Sequence, residues 1–319
     1  MVNAAGPEFK VVVPALREAI KAGVNYCDLC CYGPATEQAL ALDDDAKAAG
    51  ITALIGIGLV GLTNLMMVHA ADRLDQADEL RLCFFLSTPI FGYDPGECLA
   101  TWRETGRADA SWQDIVAQVA GKVRLYRDGH WLDVDPLEDP VQVTLPGGDE
   151  VTAYPVGLPE PITVPRTLPG VRSVSSVTSM FPPQINEAFY GLGRRVARGE
   201  LDESGAAFAF MEYLEALPEP SLAPPKGGED GFAMWVEAVG SKRNDRVHYK
   251  CWPNGDWAST EGPLAAAALK ILRGEIDARG VLSPESCLDP MSFFAEVAQL
   301  ASGEPPGGDL LAESFGSQS

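Results

Sequence analysis

The chain lacks an uninterrupted apolar stretch of the ~20 residues that a membrane-spanning helix needs. Its longest apolar run, from Ile51 to Val60 and on to Ala71, is broken by glycines, Thr63, Asn64 and His69, so a soluble protein is expected. A disulfide framework is also missing, since the seven cysteines are odd in number and show no repeated spacing. Cys27, Cys30 and Cys31 form C-x2-C-C, but no second cysteine pair or nearby histidine completes four zinc ligands, and a place in the core is expected for them. The opening Met-Val-Asn-Ala-Ala-Gly-Pro has neither the basic start nor the apolar stretch of a signal peptide, so a reducing, cytoplasmic location is expected. Positive charge is scarce: 24 Lys+Arg against 45 Asp+Glu leave a net charge of −21, which repels phosphate backbones and anionic bilayers. Nucleic acids and membrane surfaces are therefore excluded as partners. No Ser-His-Asp, H-E-x-x-H or Walker pattern is visible, and hydrolase and NTPase chemistry have no residues to carry them.

What is present is a globular composition. The 319 residues are 46% hydrophobic with a mean hydropathy of −0.01, about two domains by length. Residues 1–78 alternate short apolar strands (2–3, 25–30, 51–57) with helices (8–22, 35–49, 63–73), the pattern of a parallel, doubly wound sheet. Gly50 closes the second helix. From residue 79 to about 257 the strands lengthen (80–86, 123–127, 131–134, 141–144, 171–177), and Asp128-Gly129 reads as a hairpin turn. A second hairpin is expected from 232–240 and 246–252, and helices over 112–119, 184–197 and 206–216 are expected to cover one face of a mixed sheet. Residues 258–301 carry helices over 262–273 and 291–300, and 302–319, rich in Gly, Pro, Ser and acid, read as a disordered tail.

Gly56-Ile57-Gly58-Leu59-Val60-Gly61 is a literal G-x-G-x-x-G between a strand and a helix, the context of a dinucleotide-binding turn. Yet Asp72, Asp75, Asp78 and Glu79 precede the next strand instead of ending it, and two strand-helix units come before the turn. A tight turn near a cofactor or substrate, centred on Gly58, is the better reading.

The segments Val2-Asn3-Ala4-Ala5-Gly6-Pro7, Gly23-Val24-Asn25-Tyr26-Cys27-Asp28 and Leu54-Ile55-Gly56-Ile57-Gly58 with Gly61-Leu62-Thr63-Asn64-Leu65 resemble the saccharopine dehydrogenase family. Tyr126-Arg127-Asp128-Gly129-His130-Trp131, Pro159-Glu160-Pro161-Ile162-Thr163-Val164-Pro165, Thr260-Glu261-Gly262-Pro263 and Arg279-Gly280-Val281-Leu282-Ser283-Pro284-Glu285 continue the likeness in order. The resemblance implies an NAD(P)-dependent oxidoreductase acting at the C–N bond of amino acids, as saccharopine, lysine and carboxynorspermidine dehydrogenases do. It implies an α/β fold in which a Rossmann sheet receives an inserted α+β mixed-sheet domain for substrate and dimerisation, with a homodimer as the assembly. Family members reach the Asn-Ala-Ala-Gly-Pro segment only after roughly 75 to 90 residues of earlier strand-helix units, so a chain truncated at its amino end is expected, with the sheet edge at Val2 and the helix face of Val11, Val12, Leu16 and Ile20 left uncovered.

Asn3, Ala4, Ala5, Gly6 and Pro7 follow a parallel strand where ligands of open α/β sheets bind, and by resemblance they are the cofactor contacts; an ordinary strand-to-helix turn is the alternative. Asp28 and Tyr32 follow the next strand and stand as candidates for orienting the nicotinamide or exchanging a proton, with a turn cap as an equal alternative for Asp28. His69 is a third catalytic candidate, or a core histidine. Asn64 is a candidate substrate ligand or helix cap, and Arg172 a candidate clamp for the substrate carboxylate. An amino-acid or imino-acid substrate and NAD or NADP are therefore expected; a non-catalytic dimerising protein that has lost its cofactor site is the alternative.

Overall fold

The computed structural model describes residues 1–218, 223–243, 245–304 and 306–317. The early alternation of strand and helix folds as β1 (Val2–Asn3), α1 (Glu8–Ala22), β2 (Tyr26–Asp28), α2 (Gly33–Leu40), α3 (Asp43–Ala48), β3 (Thr52–Leu54) and α4 (Leu59–Asp72). Gly23, in the left-handed region at φ 64°, ends α1, where a side chain would be strained. The single helix expected over 35–49 is two, α2 and α3. Asp43, Asp44 and Asp45 favour a fresh helix N-terminus there, and Asp43 Oδ1 accepts from the Val281 amide at 2.9 Å.

The chain continues through β4 (Gln76–Ser87), α5 (Pro95–Thr105), α6 (Ala110–Ala117), β5 (Val123–Arg127), β6 (His130–Val134), β7 (Val141–Thr144), β8 (Glu150–Pro155) and α7 (Glu160–Thr167). After these come β9 (Ser173–Phe181), α8 (Gln184–Ala197), α9 (Glu203–Glu215), β10 (Phe232–Lys242) and β11 (Asp245–Pro253). The final elements are α10 (Glu261–Arg273), β12 (Gly280–Leu282), α11 (Pro290–Ser302) and β13 (Leu311–Ser317). Asp128 at φ 49° and Gly129 at φ 82° form the expected tight turn between β5 and β6.

Two sheets result. The first is parallel in the order β1-β2-β3-β12, so the chain returns to it after the long excursion. The second runs β13-β11-β10-β4-β9-β5-β6, mostly antiparallel with a parallel β4–β9 pair, and β7–β8 folds against β9. Helix α4, apolar on nearly every side, is buried between the two sheets and packs on β4 and β10.

Two further expectations are corrected, and two helices went unread. The expected loose tail, 302–319, carries a strand among its described residues: β13 pairs antiparallel with β11 from Leu311 to Ser317, burying Leu310 and Leu311. Val12 and Leu16 are buried, Leu16 packing beside Tyr26 and Ala39 and Val12 beside Cys30 and Ala35. Helices α5 and α7 were not read from the sequence, the second because Pro161 and Pro165 argue against a helix. The edge at β1 is as expected, with Val2 54% exposed.

Candidate functional site

The carboxyl end of β1 opens on a crevice of about 390 Å³ between the parallel sheet and the second sheet. Ala4, Ala5 and Gly6 form one wall, Leu59 and Val60 at the start of α4 another, and Phe84, Leu86, Thr178 and Met180 of β4 and β9 the roof. Ligands of open α/β folds bind at this end of the strands.

Two carboxyls stand at one side of it. Helix α1 begins at Pro7, which has no side-chain oxygen to cap the first turn. Asp114 of α6 supplies one: its Oδ1 accepts from the Glu8 amide at 2.7 Å. The Glu8 carboxyl turns back toward the segment after β2, and its Oε2 accepts from the Cys31 amide at 2.5 Å. Burial, reinforced by the negative charge of Asp114, pushes the Glu8 carboxyl up to about 8. Burial also lifts Asp114, to about 6, against the opposing hydrogen bonds from the Glu8 and Phe9 amides. Thr178 lines the same crevice, and its hydroxyl is buried without a partner among the described residues. No lysine, arginine or histidine lines the crevice among the described residues.

Of the residues expected from sequence, Asn3, Ala4, Ala5 and Gly6 line this crevice. Asn3 shapes the loop, its Oδ1 accepting from the Ala5 amide at 3.1 Å and its Nδ2 donating to the Tyr26 hydroxyl at 2.9 Å. Gly6 leaves room for α6 more than for a ribose, because a Cβ there would sit 2.8 Å from Ala110 Cβ. Pro7 is the cap residue of α1. Gly58 precedes α4 at the crevice border, where a Cβ would lie 3.1 Å from Leu29 and 3.5 Å from Thr260.

The other candidates lie elsewhere. Asp28 is shut inside, and its Oδ1 accepts from the Cys30 amide at 3.0 Å and the Gly56 amide at 2.7 Å, so it caps the turns after β2 and β3. Tyr32 starts α2 with its ring edge-on to Phe9 and does not line the crevice. Asn64 donates to Thr163 at 2.8 Å and Glu285 at 3.0 Å, both far along the chain, which locks it into the core. His69 meets Glu313 of β13 at 2.9 Å. Arg172 is 64% exposed and pairs with Asp128 at 2.9 Å on the β5–β6 turn, and it is not among the residues that line the crevice.

The Gly56–Gly61 turn does not fit a pyrophosphate: Asp28 takes the Gly56 amide, and a Cβ on Gly61 would lie 2.5 Å from Gly56 O. Ala4–Gly6 line the same crevice as Thr178, whose hydroxyl has no partner among the described residues. Glu8, Asp114 and Thr178 went unread in the sequence. Glu8 had a signal, an acid in the first turn of a helix at the ligand end of a strand; the other two had none.

No protein-family model matches this sequence. The chain is 23% identical over 323 aligned residues, 94% of its length and 77% of the relative's, to a carboxyaminopropylagmatine dehydrogenase from Synechocystis sp.. Its fold is similar to that of saccharopine dehydrogenase (L-Glu forming) from Saccharomyces cerevisiae, at a TM-score of 0.57 and 14% identity over 97% of this chain and 83% of that one. The likeness to an amine dehydrogenase from Mycobacterium smegmatis, TM-score 0.39 and 13% identity over 90% and 75% of the two chains, is too loose in shape to bear on the fold. The mixed α/β architecture, a parallel sheet joined to a mixed one, is saccharopine dehydrogenase-like.

Proposed function

We propose that this saccharopine dehydrogenase-like chain is an oxidoreductase that transfers a hydride between NAD or NADP and the C–N bond of an amino compound held in the crevice. The observation that carries the reading is the crevice itself, set at the carboxyl end of β1 and walled by apolar side chains, with the Glu8 and Asp114 carboxyls in its lining. The sequence relative is named as a dehydrogenase, and the structural neighbour of TM-score 0.57 likewise, which favours an enzyme over a non-catalytic binding protein. A bound nicotinamide would supply or accept the hydride. The chain's own part is to seat the nicotinamide against Ala4–Gly6, to offer it or the substrate the Thr178 hydroxyl, and to exclude water with Leu29, Leu59, Val60 and Phe84.

The test is the near-ultraviolet absorbance of reduced nicotinamide during incubation with secondary amines and amino acids, or with imines in the reducing direction. Turnover with at least one of them is expected, and it should vanish in Ala4→Trp, where an exposed alanine on the wall becomes a plug. A folded protein that neither turns over any of them nor binds NADH or NADPH would overturn the reading.

A cytoplasmic, homodimeric protein belongs to the same proposal. Seven free cysteines suit a reducing compartment. Aromatic side chains exposed on the two outermost strands of the second sheet, Phe315 of β13 and Trp131 of β6, suit pairing of two copies. Sedimentation at the mass of one 34.0 kDa chain would count against the dimer. Among the described residues no helix is long and apolar enough to cross a membrane.

A further inference from the structure

We propose that the crevice takes its substrate as a cationic amine, with Glu8 exchanging the proton at the substrate nitrogen and Asp114 positioning Glu8. This rests on the oxidoreductase reading and names the substrate class and the proton-exchanging group within it.

The geometry begins with charge. Glu8 and Asp114 line the crevice together, joined through the Glu8 amide at 2.7 Å, and no basic side chain among the described residues lines it with them. A substrate carboxylate would meet no cation at this end among the described residues, and the arginine expected to clamp one, Arg172, pairs with Asp128 on the β5–β6 turn. An ammonium meets the opposite: two carboxyls that burial penalises when they are charged and unpaired, and that a cation relieves. A second, independent feature points to a ligand in the same space. Thr178 is 5% exposed, lines the crevice, and its hydroxyl has no partner among the described residues, leaving a donor and acceptor for the bound molecule. The remaining wall is largely aliphatic and aromatic, which suits a methylene chain next to the nitrogen.

The proton balance is simple. In the oxidising direction the Glu8 carboxylate takes an N–H proton from the ammonium and becomes the acid. The nitrogen lone pair so released forms the second C–N bond as the hydride leaves for the nicotinamide. In the reducing direction the Glu8 acid returns its proton to the newly formed amine nitrogen. A carboxyl poised near neutral pH serves both directions, and Glu8 is raised to about 8 by burial and then by Asp114. Among the described residues the groups that face the pair include Asp28 at the end of β2, Cys30 and Cys31 in the following turn, Tyr32 at the start of α2, Glu203 of α9 near Asp114, and Lys10 of α1, a cation that acts on Asp114.

The test uses the whole protein, with butylammonium and butyrate as probes, titrated by calorimetry between about pH 6 and about pH 9. Butylammonium should bind and butyrate should not, and the ammonium affinity should climb as Glu8 ionises near 8. Glu8→Gln should bind it ~10-fold more weakly, the loss of one charge-assisted contact, and show no climb. Asp114→Asn retains an oxygen for the α1 cap but not the charge opposing Glu8, so the climb should move to lower pH. A merely structural Asp114 would leave the climb where it is. Butyrate binding as well as butylammonium, or a folded Glu8→Gln with unchanged affinity and pH profile, would overturn the proposal. Amine turnover without butylammonium binding sinks this inference and leaves the oxidoreductase standing; butylammonium binding with neither turnover nor nicotinamide binding overturns the oxidoreductase reading, and with it the proton exchange by Glu8.

Discussion

Glu160 and Glu285 lie in one buried polar knot that ties α4 and α7 to β9 and the segment after β12. Thr63 donates to Glu160 Oε1 at 2.5 Å, Ser176 to its Oε2 at 2.9 Å, and Asn64 links Thr163 with Glu285. Burial pushes Glu160 up to about 7, and burial raises Glu285 as well. A carboxyl raised on folding contributes stability that is whole below its unfolded value, near 4.5, and is lost as pH rises through about 7. Glu160→Gln copies the protonated form and removes that loss. The variant should therefore melt with the native chain near pH 4.5 and several degrees above it at about pH 8, a difference on the order of 1–3 kcal/mol. Thermal melts at the two pH values check it, and identical profiles would show that Glu160 is not protonated in the fold.

At the scale of the element, the G-x-G-x-x-G turn is a packing device. Gly61 lets α4 start against the backbone of Gly56, and a methyl there would also come within 2.9 Å of Ile57 Cδ1. Gly61→Ala gains about 1 kcal/mol of helix propensity but has to push a backbone carbonyl aside, so a net loss of ~1–3 kcal/mol is expected in denaturant unfolding. A more stable variant would mean that α4 has slack at its start. Strand β13 makes a different kind of contribution. It covers the edge of β11, sets Phe315 against Tyr249 at 4.9 Å between ring centres, and brings Glu313 to His69 and Arg73. Removing residues 304–319 bares that edge, and a lower melting midpoint with increased light scattering is expected. A shortened chain that melts and scatters like the full one would show β13 to be dispensable.

Over the whole molecule, the charge of −21 and the acidic crevice act in the same sense. The summed field raises the local concentration of small cations and lowers that of anions. Since salt shortens its reach from ~30 Å at about 0.01 M to ~8 Å at about 0.15 M, the affinity for butylammonium should fall severalfold over that range. Titrations at the two ionic strengths check this, and a salt-independent affinity would confine the recognition to contacts inside the crevice.

The amino-acid sequence by itself determined the elements whose causes are local. Helix α8 and the bounds of α1 follow from apolar spacing with a left-handed glycine at Gly23, and the β5–β6 turn follows from Asp128-Gly129, because periodicity and turn chemistry act over a few residues. The parallel unit and the segment Asn3–Gly6 at its ligand end were legible for the same reason, and the family resemblance extended them to an oxidoreductase. Only the tertiary structure decided which polar groups meet. Asp114 caps a helix that begins 106 residues earlier, Asn64 reaches Glu285 across 221 residues, and His69 finds Glu313 across 244. A side chain's hydrogen-bond partner is whatever the fold brings within ~3 Å of it, so His69, Arg172 and Asp28 found partners away from the crevice lining while Glu8 and Thr178 came to line it.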